Sequence, residues 1–145
     1  MLDLCYNKIS RIGHGFANCT LLKELYLAGN KISDVEGLHR LLKLTVLDLS
    51  FNKVTTMKAL GQLAANYNSL LALNLLGNPV HTNVGEEQLR KSISGLIPRL
   101  AYFNKQPIKT FYAQEVVAVG FIHLYGFPIR VRGSILEAPF KFLEL

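Results

Sequence analysis

The sequence is short of cysteine, of charge and of long apolar runs, and each shortage removes a class of protein. Only two cysteines occur in 145 residues, Cys5 and Cys19. They supply no disulfide framework and suit a reducing compartment. Charged residues make up 18% of the chain against 50% hydrophobic, which excludes a disordered chain and requires a well-filled core. The formal net charge is +6, yet residues 1–80 and 81–145 each carry eight Lys/Arg against five Asp/Glu. With no basic run and no Arg–aromatic cluster, the concentrated charge of a nucleic-acid binder is missing. The first residues lack the basic-then-apolar plan of a signal peptide. No apolar stretch reaches the roughly 20 residues of a membrane helix. An intracellular site, cytoplasmic or nuclear, is the expectation.

Catalytic chemistry is equally sparse. Cys5, His14 and Cys19 have the spacing C-x8-H-x4-C, which matches no zinc site. Cys5 falls on a strand pattern and the other two on the following segment, where Cys19 reads as a small inward residue. Nucleophilic catalysis needs Cys and His within hydrogen-bond reach, and neither His39 nor His81 has an approach to Cys5. Gly13-His14-Gly15 and Gly77-Asn78-Pro79 match no phosphate loop. No catalytic residue, metal, cofactor or small-molecule substrate is therefore expected.

A repeat is present instead. Leu22-Lys23-Glu24-Leu25-Tyr26-Leu27-Ala28-Gly29-Asn30-Lys31-Ile32 reads L-x-x-L-x-L-x-x-N-x-I. Leu2, Leu4, Asn7, Ile9 and Ile12 show the pattern earlier, cut off at the front. Leu44, Leu47, Leu49, Asn52, Val54 and Met57 show it a third time, and Leu70, Leu73, Leu75, Asn78 and Val80 a fourth. The asparagines stand 23, 22 and 26 residues apart, within the roughly 20–29 residues of leucine-rich repeats. The pattern thus resembles that family. It implies an α/β solenoid with a parallel β-sheet on the concave face and short helical or 3₁₀ returns. Each asparagine then stands where the chain leaves its strand, because an amide donates and accepts at once.

The returns keep a spacing of three. Val35, Leu38, Leu41 and Leu44 show it, as do Phe16, Cys19 and Leu22, and Met57, Leu60 and Leu63, which suits a short turn with one face inward. Ser33 with Glu36, and Asn83 with Glu86, have capping-box spacing. The last return is four residues longer, about one helical turn, expected within Leu60–Tyr67. Leu89, Ile93, Leu96 and Ile97 give a helical inward face that Pro98 ends. Leu100, Phe103 and Ile108 follow in an extended stretch. The expected division is repeats over 1–80, a C-terminal helical cap over 81–109, and a tail over 110–145. The tail is largely apolar between Val116 and Val131, with a possible helix over 114–119 and a strand over 129–131. It reads equally as a docked segment or as a stretch foreign to the native protein. The chain starts almost on strand residues, and an uncapped solenoid edge is unfavourable. The expectation is a piece of a longer protein, with a partner covering that edge as the alternative.

Asn78-Pro79-Val80, Arg90, Ile93, Ile97-Pro98-Arg99-Leu100 and Phe103-Asn104 make residues 1–109 resemble short-repeat leucine-rich proteins, typified by the protein phosphatase 1 regulatory subunit and the axonemal dynein light chain. Gln106-Pro107-Ile108-Lys109 resembles plant members. The resemblance implies a non-enzymatic scaffold that binds a phosphatase, a motor or another protein.

The surface is where function is expected. Outward strand positions form columns across the concave face. One holds Asp3, Tyr26, Asp48 and Asn74; its neighbour holds Cys5, Ala28, Ser50 and Leu76. Glu24 and Val46 lie to one side, and Tyr6 and Phe51 at the strand ends. The expected partner-binding residues are Asp3, Glu24, Tyr26, Asp48, Phe51 and Asn74. A basic partner segment suits the acidic column, with Tyr26 and Phe51 as apolar anchors. The leading reading is an adaptor or regulatory subunit. The alternatives are a structural component of a microtubule or dynein motor assembly, and the recognition part of an enzyme whose catalytic domain lies elsewhere.

Overall fold

The computed structural model describes residues 1–108. The helix expected over 114–119, the strand over 129–131 and the whole reading of the tail lie outside the described residues. Each repeat contributes one strand of two or three residues: β1 (Leu2–Asp3), β2 (Glu24–Tyr26), β3 (Val46–Asp48) and β4 (Ala72–Asn74). β5 (Tyr102–Phe103) and β6 (Gln106–Pro107) complete one sheet in sequence order. Neighbours from β1 to β5 run parallel, and β6 returns antiparallel to β5. The register is Leu2–Leu25–Leu47–Leu73–Phe103 on one face and Asp3–Tyr26–Asp48–Asn74 on the other. This is the alternation that the leucine spacing requires.

The inward leucines meet the returns in one continuous core. Leu25, Leu27, Leu47, Leu49, Leu73 and Leu75 pack with Val35, Leu38, Leu41, Leu60 and Leu63. The returns are 3₁₀ turns, Leu38–Arg40 and the longer Lys58–Asn66. The extra residues of the last return thus extend a 3₁₀ helix. Its last residue, Asn66, is buried and donates to the carbonyls of Leu38 (3.3 Å) and Leu41 (2.9 Å), which ties one return to the one before.

The asparagines do the same on the strand side. Asn52 Nδ2 donates to Leu27 O (2.9 Å) in the preceding repeat and to Leu49 O (3.0 Å) and Ser50 O (3.1 Å) in its own. Its Oδ1 accepts the Ile32 N–H at 3.0 Å. Asn78 repeats the arrangement one strand on, bonding Leu49 O, Leu75 O and the Val54 N–H. Asn30 bonds Leu4 O, Leu27 O and the N–H groups of Asn7 and Ile9. Every such amide fastens two repeats, so buried backbone groups are satisfied across the joint.

Beyond Asn78 the chain turns helical. Pro79 opens α1 (Pro79–Val84), where its missing N–H is harmless. α2 (Glu86–Leu96) buries Leu89 and Ile93 as its periodicity requires. Neither capping box forms. Glu36 N–H bonds Asp34 Oδ1 rather than Ser33. α2 starts from Gly85 at φ 91° without a side-chain cap, while Asn83 reaches back to Thr55 O. A backbone in that left-handed range favours glycine, so Gly85 takes the junction between the helices. The extended stretch after Pro98 is a tight hairpin. Asn104 and Lys105 turn it at φ 50° and 66°, the geometry of a two-residue hairpin loop. Cys19 departs from the expected inward position in being exposed.

Candidate functional site

The concave face is the open side of the sheet. Its central column matches the expected register, but its residues are not free side chains on a surface. Tyr26 is 1% exposed, Asp48 0% and Asn74 1%. Adjacent strands stand about 4.8 Å apart, so side chains in one column cover each other. Several also have structural partners. Ser50 N–H donates to Asp48 Oδ1 (2.9 Å), Leu76 N–H to Asn74 Oδ1 (3.1 Å) and Cys5 N–H to Asp3 Oδ1 (3.0 Å). A short Asp or Asn as the last residue of β1, β3 and β4 accepts the N–H two residues further on and closes the same local turn. Tyr26 is the exception in the column, and its hydroxyl donates to Glu24 Oε1 at 2.7 Å. Tyr26, Asp48 and Asn74 are therefore outward in register but enclosed by their neighbours. Asp3 and Phe51 are exposed and Glu24 is half-buried.

A cavity of about 350 Å³ lies on this face, with Asp3, Tyr6, Asp48, Ser50, Phe51 and Lys105 among its walls. Tyr6 (72% exposed) and Phe51 (59%) are the prominent apolar groups. Both have left-handed backbones, each at φ 55°, which is costly outside glycine. Their rings explain the tolerance. An added Cβ at Gly29 would fall 2.3 Å from the Tyr6 ring, and one at Gly77 2.3 Å from the Phe51 ring. Each ring thus lies on the bare backbone of the next repeat. The pattern is visible in the sequence as an alternation before the repeat asparagines: Tyr6, Gly29, Phe51, Gly77.

The electrostatics are set by burial. Desolvation pushes the Asp48 carboxyl above its ordinary range, against the Ser50 hydrogen bonds and the charge of Lys105, which pull it down. Asp48 Oδ2 is buried with no hydrogen-bond partner among the described residues. Tyr26 is shifted upward by burial and then by the Glu24 hydrogen bond. Burial, aided by the Asp3 hydrogen bond, pushes the Cys5 thiol up to about 12, so it is protonated at neutral pH and is a poor nucleophile. Among the described residues no group of three or more His, Cys, Asp or Glu could hold a metal ion. No helix among them is long and apolar enough to cross a membrane.

Comparison with known proteins agrees with this architecture. The family of Leucine Rich repeats (2 copies) matches over residues 1–39 and again over 21–62. Among solved structures, the chain is similar to one in the Drosophila melanogaster SNF/U2A' complex, with 26% identity and a TM-score of 0.62, covering 78% of this chain and 63% of that one. It is also similar to a chain of the Chaetomium Mex67:Mtr2 subunits, with 29% identity and a TM-score of 0.53, covering 61% of this chain and 57% of that one. The Mex67 LRR domain from Chaetomium thermophilum matches equally, with 29% identity, a TM-score of 0.53, and 61% and 60% covered. The sequence spans about 57 to 63% of these three solved chains. No curated protein matches it.

Proposed function

We propose that this leucine-rich repeat protein is a non-enzymatic protein-binding module whose partner lies on the concave face, where it acts as an adaptor or regulatory subunit. The observation that carries the reading is the pair of aromatic side chains, Tyr6 and Phe51, held exposed beside a cavity in an open sheet. Exposed rings fixed at a concave surface are the kind of anchor that protein interfaces use. Two of the similar solved chains come from assemblies, the SNF/U2A' complex and the Mex67:Mtr2 subunits, which supports binding as the activity. The division into repeats, a cap over 81–109 and a tail belongs to this proposal, as does a phosphatase, motor or cytoskeletal partner. The resemblance at Asn78-Pro79-Val80 and Ile97-Pro98-Arg99-Leu100 supports the partner classes. The free cysteines Cys5 and Cys19 support an intracellular site.

The accessible binding set is Asp3, Glu24 and Phe51 from the sequence reading, with Tyr6 added. Tyr26, Asp48 and Asn74 form the floor. The test is affinity capture from cell extract with Tyr6→Ala plus Phe51→Ala, against His39→Ala plus Lys58→Ala on the returns. Loss of a hot-spot anchor costs about 2 kcal/mol of binding, so the first pair should lose captured partners while the second retains them. The reverse result would move the binding surface to the returns.

A further inference from the structure

The walls of the concave cavity are not equivalent in charge. Asp48 is 0% exposed, and its two oxygens differ in their partners. Oδ1 accepts the Ser50 N–H, while Oδ2 has no hydrogen-bond partner among the described residues. Leaving a buried carboxylate oxygen unpaired is unfavourable, and the usual remedy is a cation or a donor. Asp3 stands in the same column and lines the same cavity. Lys105 reaches this wall from the β5–β6 turn, and its charge favours the ionised carboxylate. The fold thus already brings one cation toward Asp48, yet burial still outweighs it. Tyr6 and Phe51 add two exposed rings from the turns after β1 and β3, two strand spacings or about 9.6 Å apart along the sheet. Aromatic faces attract Lys and Arg head groups and cover their aliphatic stems.

We propose that this cavity is a socket for a single lysine or arginine side chain of a partner protein. The stem lies along Tyr6 and Phe51, and the charged head takes a place beside Asp48 and Asp3 that Lys105 now shares. This rests on the reading of the concave face as the protein-binding surface, and it names the chemistry that the face selects. The two acidic walls against one basic one favour a cation over an anion. The burial of Asp48 makes an apolar side chain a poorer occupant, since it would leave Oδ2 unpaired.

The experiment is an NMR titration of the isotope-labelled full chain with acetyl-Ala-Arg-Ala-amide and its lysine, norleucine and glutamate counterparts, and with inorganic phosphate. The arginine and lysine peptides should shift the amides of Cys5, Tyr6, Ser50 and Phe51. Norleucine, glutamate and phosphate should not. Asp48→Asn preserves the acceptor for Ser50 and removes the charge, so it should weaken the arginine peptide at least about tenfold. Lys105→Gln should strengthen it. Asp3→Asn, at an exposed position, provides the same reading should Asp48→Asn fail to fold, and should weaken the peptide to a smaller degree. Equal shifts with norleucine, a response to phosphate alone, or unchanged affinity in both acidic variants would overturn the socket. If the socket fails while the Tyr6 and Phe51 pair still abolishes partner capture, the binding face stands and only its cation selectivity falls.

Discussion

Replacing Asn52 by alanine removes four hydrogen bonds at the joint between the second and third repeats, but their losses are unequal. Leu27 O keeps the Asn30 amide, Leu49 O keeps Asn78, and Ser50 O keeps the Gly29 N–H. Each of these carbonyls loses only one of two donors. The Ile32 N–H has Asn52 Oδ1 as its partner and is left orphaned beside a fully buried side chain. One orphaned buried donor costs about 1–3 kcal/mol, and three weakened acceptors add to it, so about 3 kcal/mol is expected. Asn52→Asp is an instructive companion. It keeps the acceptor for Ile32 but faces three carbonyls with a carboxylate, and should cost at least as much. Lys53→Ala is the control, because Lys53 is exposed and its ladder bond to Ile32 O uses the backbone. It should fall within about 0.5 kcal/mol of wild type. Urea denaturation followed by circular dichroism gives the three values. The slope must be compared as well, since a weakened joint can break cooperativity in a repeat array. Equal destabilisation by Lys53→Ala and Asn52→Ala would refute the assigned register and the role of the amide.

Leu49→Ala, in the centre of the core, should cost about 2–5 kcal/mol in the same melts. Tyr26→Ala should cost about 3 kcal/mol or more because the ring is buried, whereas Phe51→Ala should cost about 1 kcal/mol or less; near-equal values would contradict the burial described. Asp48→Asn should be at least as stable as wild type at pH 7. Burial raises the folded-state pKa of Asp48 above its unfolded value of 3.8, so the native state binds that proton more tightly. The group's contribution is fully favourable below the unfolded value and is lost as pH rises through the folded one. The advantage of the variant should therefore shrink on acidification, and pH-dependent melts of the two proteins check it.

The repeats were legible because a packed solenoid imposes one residue type at one spacing. Leu25, Leu47 and Leu73 could occupy no other face, and the asparagines announced each turn. The column Asp3–Tyr26–Asp48–Asn74 was legible as a register but not as an environment. Outwardness is a property of the strand, while exposure depends on what neighbouring strands carry. Tyr26 beside Asp48 buries both. The local role of Asp3, Asp48 and Asn74 has a signal in the sequence, a short acceptor at the last strand residue, two residues before the N–H it accepts. The hairpin at Asn104-Lys105 and the helix opened by Pro79 were hidden for another reason. Both lie where the repeat period stops, so no neighbouring copy exists to align them with. Asn66 was unreadable alone, because its two acceptors, Leu38 O and Leu41 O, belong to the preceding return.

The rings of Tyr6 and Phe51 on Gly29 and Gly77 also determine how this solenoid can grow. A turn bearing an aromatic needs a successor with a bare backbone, so consecutive turns are complementary rather than equivalent. The unit that evolution or an engineer could copy is the pair of turns, about 45 residues from Asn7 to Asn52. Duplicating the turn that carries Phe51 would seat one phenylalanine where another requires glycine, whereas inserting a whole pair would restore the alternation on both sides. Lengthening this concave surface is therefore possible only in even steps.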